Sequence, residues 1–103
     1  MSEDYISNTS KVGDNVSIGK FVVIEDGVTI GDNCMLGHNV VIHKGSKIGA
    51  NVRIDDNSVV GKEPMRSVNS IFKDEKKFDP AVISDGCLIG AGVIVYCGCV
   101  IGE

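Results

Sequence analysis

The chain has 103 residues, 23% of them charged, and a formal net charge of −4. That length suits one hydrophobic core and leaves no room for a second, and no basic block or arginine stripe supplies the electrostatic footprint that nucleic acid demands. The acidic start Met1-Ser2-Glu3-Asp4, with no apolar run near the roughly 18 residues of a membrane span, excludes signal peptide and transmembrane readings and makes the cytoplasm the expected location.

Along the chain, one period governs everything up to residue 60. Ile6, Val12, Ile18, Ile24, Ile30, Leu36, Ile42, Ile48, Ile54 and Val60 stand six residues apart without a polar interruption. From Val12 onward, two residues before the aliphatic is a smaller residue, in the series Ser10, Val16, Val22, Val28, Cys34, Val40, Ser46, Val52 and Ser58. Each hexad therefore offers two inward side chains separated by an outward one, which is the alternation of a short strand. The residue after the aliphatic is usually glycine or acidic (Gly13, Gly19, Glu25, Gly31, Gly37, Gly49, Asp55, Gly61), and this predicts a turn with unusual φ at that place. A helix would need a spacing of 3.6, and a lone hairpin would not repeat its turn.

Three hexads close a triangular coil of 18 residues, and turn chemistry recurs at that longer period in Gly13-Asp14-Asn15, Gly31-Asp32-Asn33 and Gly49-Ala50-Asn51. The expected architecture is all-β, a single solenoid domain over residues 1–103. The register breaks after Val60 and resumes at Ile83, Ile89, Val95 and Ile101, with Cys87, Val93 and Cys99 at the small inward places. Seventeen additional residues account for the shift, so 61–82 is expected to be a loop inserted between coils.

The outward residue of each strand distinguishes the three sides. Tyr5, Val23, Val41, Val59 and Ile94 form an apolar stripe on one side, whereas the others show Lys11, Thr29 and Lys47, and Ser17, Met35 and Arg53. A contiguous apolar surface predicts self-association. Valine's preference for strands is the bland alternative, yet it does not explain why one side alone is uniformly apolar.

The two histidines, His38 and His43, fall on the two corners flanking that side, where packing of subunits would gather them into a cleft. The insertion leaves the coil one layer above His43, about 5 Å up at strand spacing. It carries Lys62, Arg66, Lys73, Lys76 and Lys77, which suit phosphates, although Glu63, Asp74, Glu75 and Asp79 nearly cancel that charge. A loop this long in a compact solenoid ordinarily binds or covers something, or is a solvated surface.

These hexads resemble the hexapeptide acyltransferase superfamily over the whole chain except the insertion. That implies a left-handed parallel β-helix, an exception to the right-handed crossover rule. The stretch Leu36-Gly37-His38-Asn39 is similar to the place where several members put a general-base histidine. Many of those have an acidic residue next; Asn39 stands here, which makes Asp56, one coil on in the same column, the alternative partner for the imidazole. The run Gly37-His38-Asn39-Val40-Val41-Ile42-His43, followed by Ile54-Asp55-Asp56-Asn57 and Gly61-Lys62-Glu63-Pro64-Met65, looks most like bacterial nucleotide-sugar N-acyltransferases.

The resemblance implies acyl-CoA as donor co-substrate, acetyl by default, an amino sugar on a nucleotide diphosphate as acceptor, no bound cofactor or metal, and a homotrimer with active sites between subunits. His38 and His43 are then the catalytic candidates, with Glu25, Asp56, Lys62 and Arg66 at the substrate. An imidazole there would accept the ammonium proton as nitrogen attacks a thioester. The chain stops at Ile101-Gly102-Glu103, midway through a coil and without a solenoid cap, and the family's acyl-CoA contacts fall largely on later coils, so the sequence reads as a fragment.

Two rivals stand beside this reading. His38 and His43, five apart, also resemble the γ-class carbonic anhydrases, which hold zinc between subunits; a catalytic zinc normally takes three protein ligands, and Glu25 would have to replace the third histidine. A non-catalytic trimeric scaffold is the other, since the repeat specifies only a prism. Cys34, Cys87 and Cys99 fill small inward positions, Cys97-x-Cys99 points opposite ways along a strand, and Gly90-Ala91-Gly92 lacks the third glycine of a dinucleotide loop.

Overall fold

Each hexad folds as a two-residue strand, outward residue then aliphatic, followed by a four-residue turn. In the computed structural model the described residues are 4–62, 80–96 and 100–102. Among them, parallel strands stack one above another into the three faces of a left-handed prism. The first face carries β1 (Tyr5–Ile6), β4 (Val23–Ile24), β7 (Val41–Ile42), β10 (Val59–Lys62) and β13 (Ile94–Tyr96). The second carries β2 (Lys11–Val12), β5 (Thr29–Ile30), β8 (Lys47–Ile48), β11 (Val82–Ile83) and β14 (Val100–Ile101), and the third β3 (Ser17–Ile18), β6 (Met35–Leu36), β9 (Arg53–Ile54) and β12 (Leu88–Ile89). Residues 18 apart pair directly, as in Val23 with Val41 and Ile24 with Ile42.

The interior holds the two inward columns and little else. Val22, Ile24, Val28, Cys34, Val40, Ile42, Ile54 and Val60 are wholly buried, each full-sized aliphatic contributing about 1.5–3 kcal/mol by leaving water. The exposed Arg53–Asp55 ion pair belongs to a class that contributes at most about 1 kcal/mol, so the aliphatic columns hold the prism together. Ser46 and Ser58 are the polar residues completely buried inside; Ser58 Oγ donates to the Gly90 carbonyl at 2.7 Å, whereas Ser46 Oγ has no hydrogen-bond partner among the described residues.

The turns depart from expectation in one respect. Except at Gly61 (φ 82°), the left-handed residue is not the glycine after the aliphatic but the residue two places later: Asn15, Asn33, Asn39, Asn51 and Asn57 have φ of 58–62°, with Gly27, Gly45, Gly86 and Gly92 in the same place. Asparagine tolerates this conformation because its short polar side chain bonds locally. Its N–H donates to the turn below, as Asn33 does to the Asp14 carbonyl at 2.9 Å. The glycine after the aliphatic is required for closeness instead. A Cβ on Gly31 would lie 2.7 Å from Gly49 C and Ala50 N in the next coil.

The insertion is bounded more tightly than 61–82. β10 continues through Lys62, which pairs with Tyr96 across a bulge at Gly61, and Val82 already belongs to β11, paired with Lys47. The coil resumes in register, Gly86 N–H donating to the Ala50 carbonyl at 2.9 Å. On the first face Tyr5, Val23, Val41, Val59 and Ile94 stack as one apolar file, with Tyr5 56% and Ile94 49% exposed.

Candidate functional site

β7 is the strand that positions both histidines, since the turn before it carries His38 and the turn after it begins with His43. The two imidazoles therefore sit at opposite edges of the apolar face. Each reaches down exactly one coil, and what each finds there differs.

His38 stands in a column with Lys20 below and Asp56 above. Its Nδ1 accepts the backbone N–H of Lys20 at 2.8 Å. Its own backbone N–H is taken by Asp56 Oδ1 at 2.8 Å, and its carbonyl receives Asn57 N–H at 2.9 Å. In the neighbouring column Asp32 accepts Asp14 N–H and Asp85 accepts Ala50 N–H, both at 2.8 Å. His38 thus occupies the place of an aspartate and performs the same bond. A ring nitrogen that accepts carries no proton, so neutral His38 holds its proton on Nε2. Asp56, expected as the partner of the imidazole, bonds the main chain instead, and Asn39 is a left-handed turn residue at φ 59° rather than a replaced acid.

His43 is built the opposite way. Its Nδ1 lies 3.0 Å from Glu25 Oε1, and that oxygen also receives Lys44 N–H at 3.0 Å. A carboxylate only accepts, so His43 Nδ1 donates and Nε2 keeps its lone pair. Both side chains are partly exposed, at 33% and 40%. Overhead, Gly61 (φ 82°) leaves space that a side chain would take: a Cβ there would crowd Ser46 Oγ and lie 3.4 Å from His43 Cβ. The 18-residue spacing between Glu25 and His43 was the sequence signal for this pair; nothing in the sequence indicated which ring nitrogen would be engaged.

Shallow clefts adjoin both corners. Tyr5, Glu25, Asp26 and Lys44 line one of about 130 Å³ beside the His43 pair; Met35, Gly37, Arg53, Asp56 and Ala91 line one of about 290 Å³ toward the His38 corner. Lys62 is in β10 at the foot of the insertion, while Arg66 and the other insertion cations lie outside the described residues. Among the described residues no three His, Cys, Asp or Glu side chains converge as a metal site, and Glu25 is occupied by His43 and Lys44. Cys34 and Cys87 are buried free thiols, as their inward column predicts; Cys97 and Cys99 lie outside the described residues.

Comparison with known proteins agrees with the β-helical fold. The family described as bacterial transferase hexapeptide (six repeats) matches residues 9–44, and the hexapeptide repeat of succinyl-transferase matches residues 27–62. No curated protein matches the sequence. Among solved structures, a UDP-N-acetylglucosamine acyltransferase from Bacteroides fragilis is 31% identical with a TM-score of 0.85, over 99% of this chain and 40% of that one. A mutant GDP-perosamine N-acetyl transferase from Caulobacter crescentus, in complex with CoA and GDP-perosamine, is 23% identical with a TM-score of 0.62, over 97% and 48%; at that identity the likeness is one of fold. The chain spans less than half the length of either.

Proposed function

Because the chain belongs to the hexapeptide-repeat, left-handed β-helix acyltransferase superfamily, we propose that it transfers an acyl group from acyl-CoA to a nucleotide-linked amino sugar. The observation that carries this reading is His43 at the edge of the apolar face, its Nδ1 bonded to the Glu25 carboxylate at 3.0 Å. An imidazole base takes the proton of the attacking nitrogen as the amide forms and the thioester carbon–sulfur bond breaks. No charge needs to accumulate on the acceptor, and coenzyme A leaves as the thiol.

The apolar file of Tyr5, Val23, Val41, Val59 and Ile94 is assigned to a homotrimer interface. Covering it would enclose both corners, and water would be excluded from the thioester. Lys62 and Arg66, at the insertion, are assigned to the phosphates of the nucleotide; Glu25 and Asp56 stand at the same corners, bonded to His43 and to the His38 main chain.

One observation favours a second acceptor chemistry. The Bacteroides relative is named for UDP-N-acetylglucosamine, whose nitrogen is already an amide, so a hydroxyl is the nucleophile left on such a sugar. Both acceptors are tested together by incubating the purified protein with acetyl-CoA and longer acyl-CoAs against a panel of amino and N-acetylated sugar nucleotides. Free thiol release identifies turnover, and mass spectrometry with hydroxylamine treatment separates amide from ester. Turnover with an amino sugar and an amide product is expected; an ester product selects the second chemistry, and no thiol release with any acceptor refutes both.

A further inference from the structure

The two histidines are held in opposite tautomers by partners of opposite kind, and from this we infer that His43, oriented by Glu25, is the proton acceptor of the acyl-transfer site, while His38 is a turn cap. The inference rests on the acyltransferase reading for its chemistry, but its structural half stands alone.

A general base must present an unprotonated ring nitrogen to the reacting group. At His38 the unprotonated nitrogen is Nδ1, and it is consumed by Lys20 N–H at 2.8 Å. Protonating it would break a bond of the kind that Asp32, Asp56 and Asp85 make in sister turns. At His43 the carboxylate of Glu25 draws the proton to Nδ1, and Nε2 has no hydrogen-bond partner among the described residues. Taking a proton at Nε2 costs no existing bond there and creates an imidazolium already paired with Glu25, whose charge-assisted hydrogen bond strengthens as the ring becomes positive.

The step balances simply. The acceptor nitrogen or oxygen bonds to the thioester carbonyl carbon, its proton moves to His43 Nε2, the carbon–sulfur bond breaks, and the imidazolium returns that proton to the coenzyme A thiolate. Glu25 takes no proton. It is a positioning residue, and the Lys44 N–H on the same oxygen fixes the carboxylate in turn.

Two measurements test this. The first needs no substrate: long-range proton–nitrogen correlation spectra of the neutral imidazoles, assigned with His38→Asp and His43→Gln, are expected to show His38 protonated at Nε2 and His43 at Nδ1. Glu25→Gln should shift His43 alone toward a tautomer mixture. The same tautomer on both rings overturns the assignment. The second uses turnover. His38→Asp supplies the side chain that caps the sister turns and should keep kcat within a few-fold, whereas His43→Gln should lower kcat by roughly 10²–10⁴ with little change in KM. Glu25→Gln should cost roughly tenfold or more in kcat and leave the fold intact. A wild-type rate in His43→Gln, or a folded but inactive His38→Asp, refutes the inference. A wild-type protein inactive on every acceptor refutes the acyltransferase reading, and the tautomer spectra then still decide the structural half.

Discussion

Asp56 meets His38 at the backbone, its Oδ1 accepting the main-chain N–H of His38 at 2.8 Å, one coil above the point where His38 Nδ1 does the same for Lys20. A vertical file of side-chain acceptors therefore stitches this corner, and the imidazole is one of its stitches. Removing Asp56 removes an exposed cap and not a catalytic partner.

Asp56→Ala should accordingly lower stability by about 1 kcal/mol, read as a reduced urea midpoint. Asp56→Asn, whose amide oxygen can accept the same N–H, should recover most of it. An unchanged midpoint in the alanine variant would show that the cap contributes nothing.

Phe21 occupies a place where the sister turns put asparagine or glycine, with φ at 62° and its ring 50% exposed. A bulky residue in the left-handed region is strained by roughly 1–2 kcal/mol. Phe21→Asn should raise the unfolding midpoint by an amount equivalent to about 1 kcal/mol. A drop in stability would mean the ring makes a compensating contact.

Gly31 has no such conformational demand, yet alanine should not fit there. Its Cβ would press within 2.7 Å of main-chain atoms at Gly49 and Ala50, which cannot swing aside as a long side chain can. Gly31→Ala should cost about 1–3 kcal/mol, visible in thermal melts, whereas Gly27→Ala would meet nothing nearer than 3.9 Å and would suffer only from its positive φ.

Val41 lies at the middle of the apolar file, between Val23 and Val59. A glutamate there would place an unpaired charge at the centre of the assigned interface, which is prohibitive when covered and harmless when exposed. Light scattering should show a trimer for the wild type and a monomer of unchanged circular dichroism for Val41→Glu. A wild-type monomer would remove the interface.

The hexad made the prism legible before any coordinates. A period of six with two inward residues has one economical solution, and 18-residue columns then follow by counting, which is how Tyr5 to Ile94 could be read as one file and Glu25 placed beneath His43. The turns were less legible because two requirements, a left-handed residue and a missing Cβ, fall on different residues two places apart. Glycine satisfies either, so Gly31 hid its purpose while Asn33 carried the unusual φ. Register also concealed the strand that runs on through Lys62, since a bulge at Gly61 preserves pairing where simple counting ends it.

Periodicity by itself determined the architecture and the neighbourhood of both histidines, because burial repeats along a strand and any sequence that obeys it must stack. Only the tertiary structure decided their chemistry. Hydrogen-bond direction depends on whether the group one coil below is a main-chain N–H, as at Lys20, or a carboxylate, as at Glu25, and two identical imidazoles acquire opposite tautomers from that difference alone.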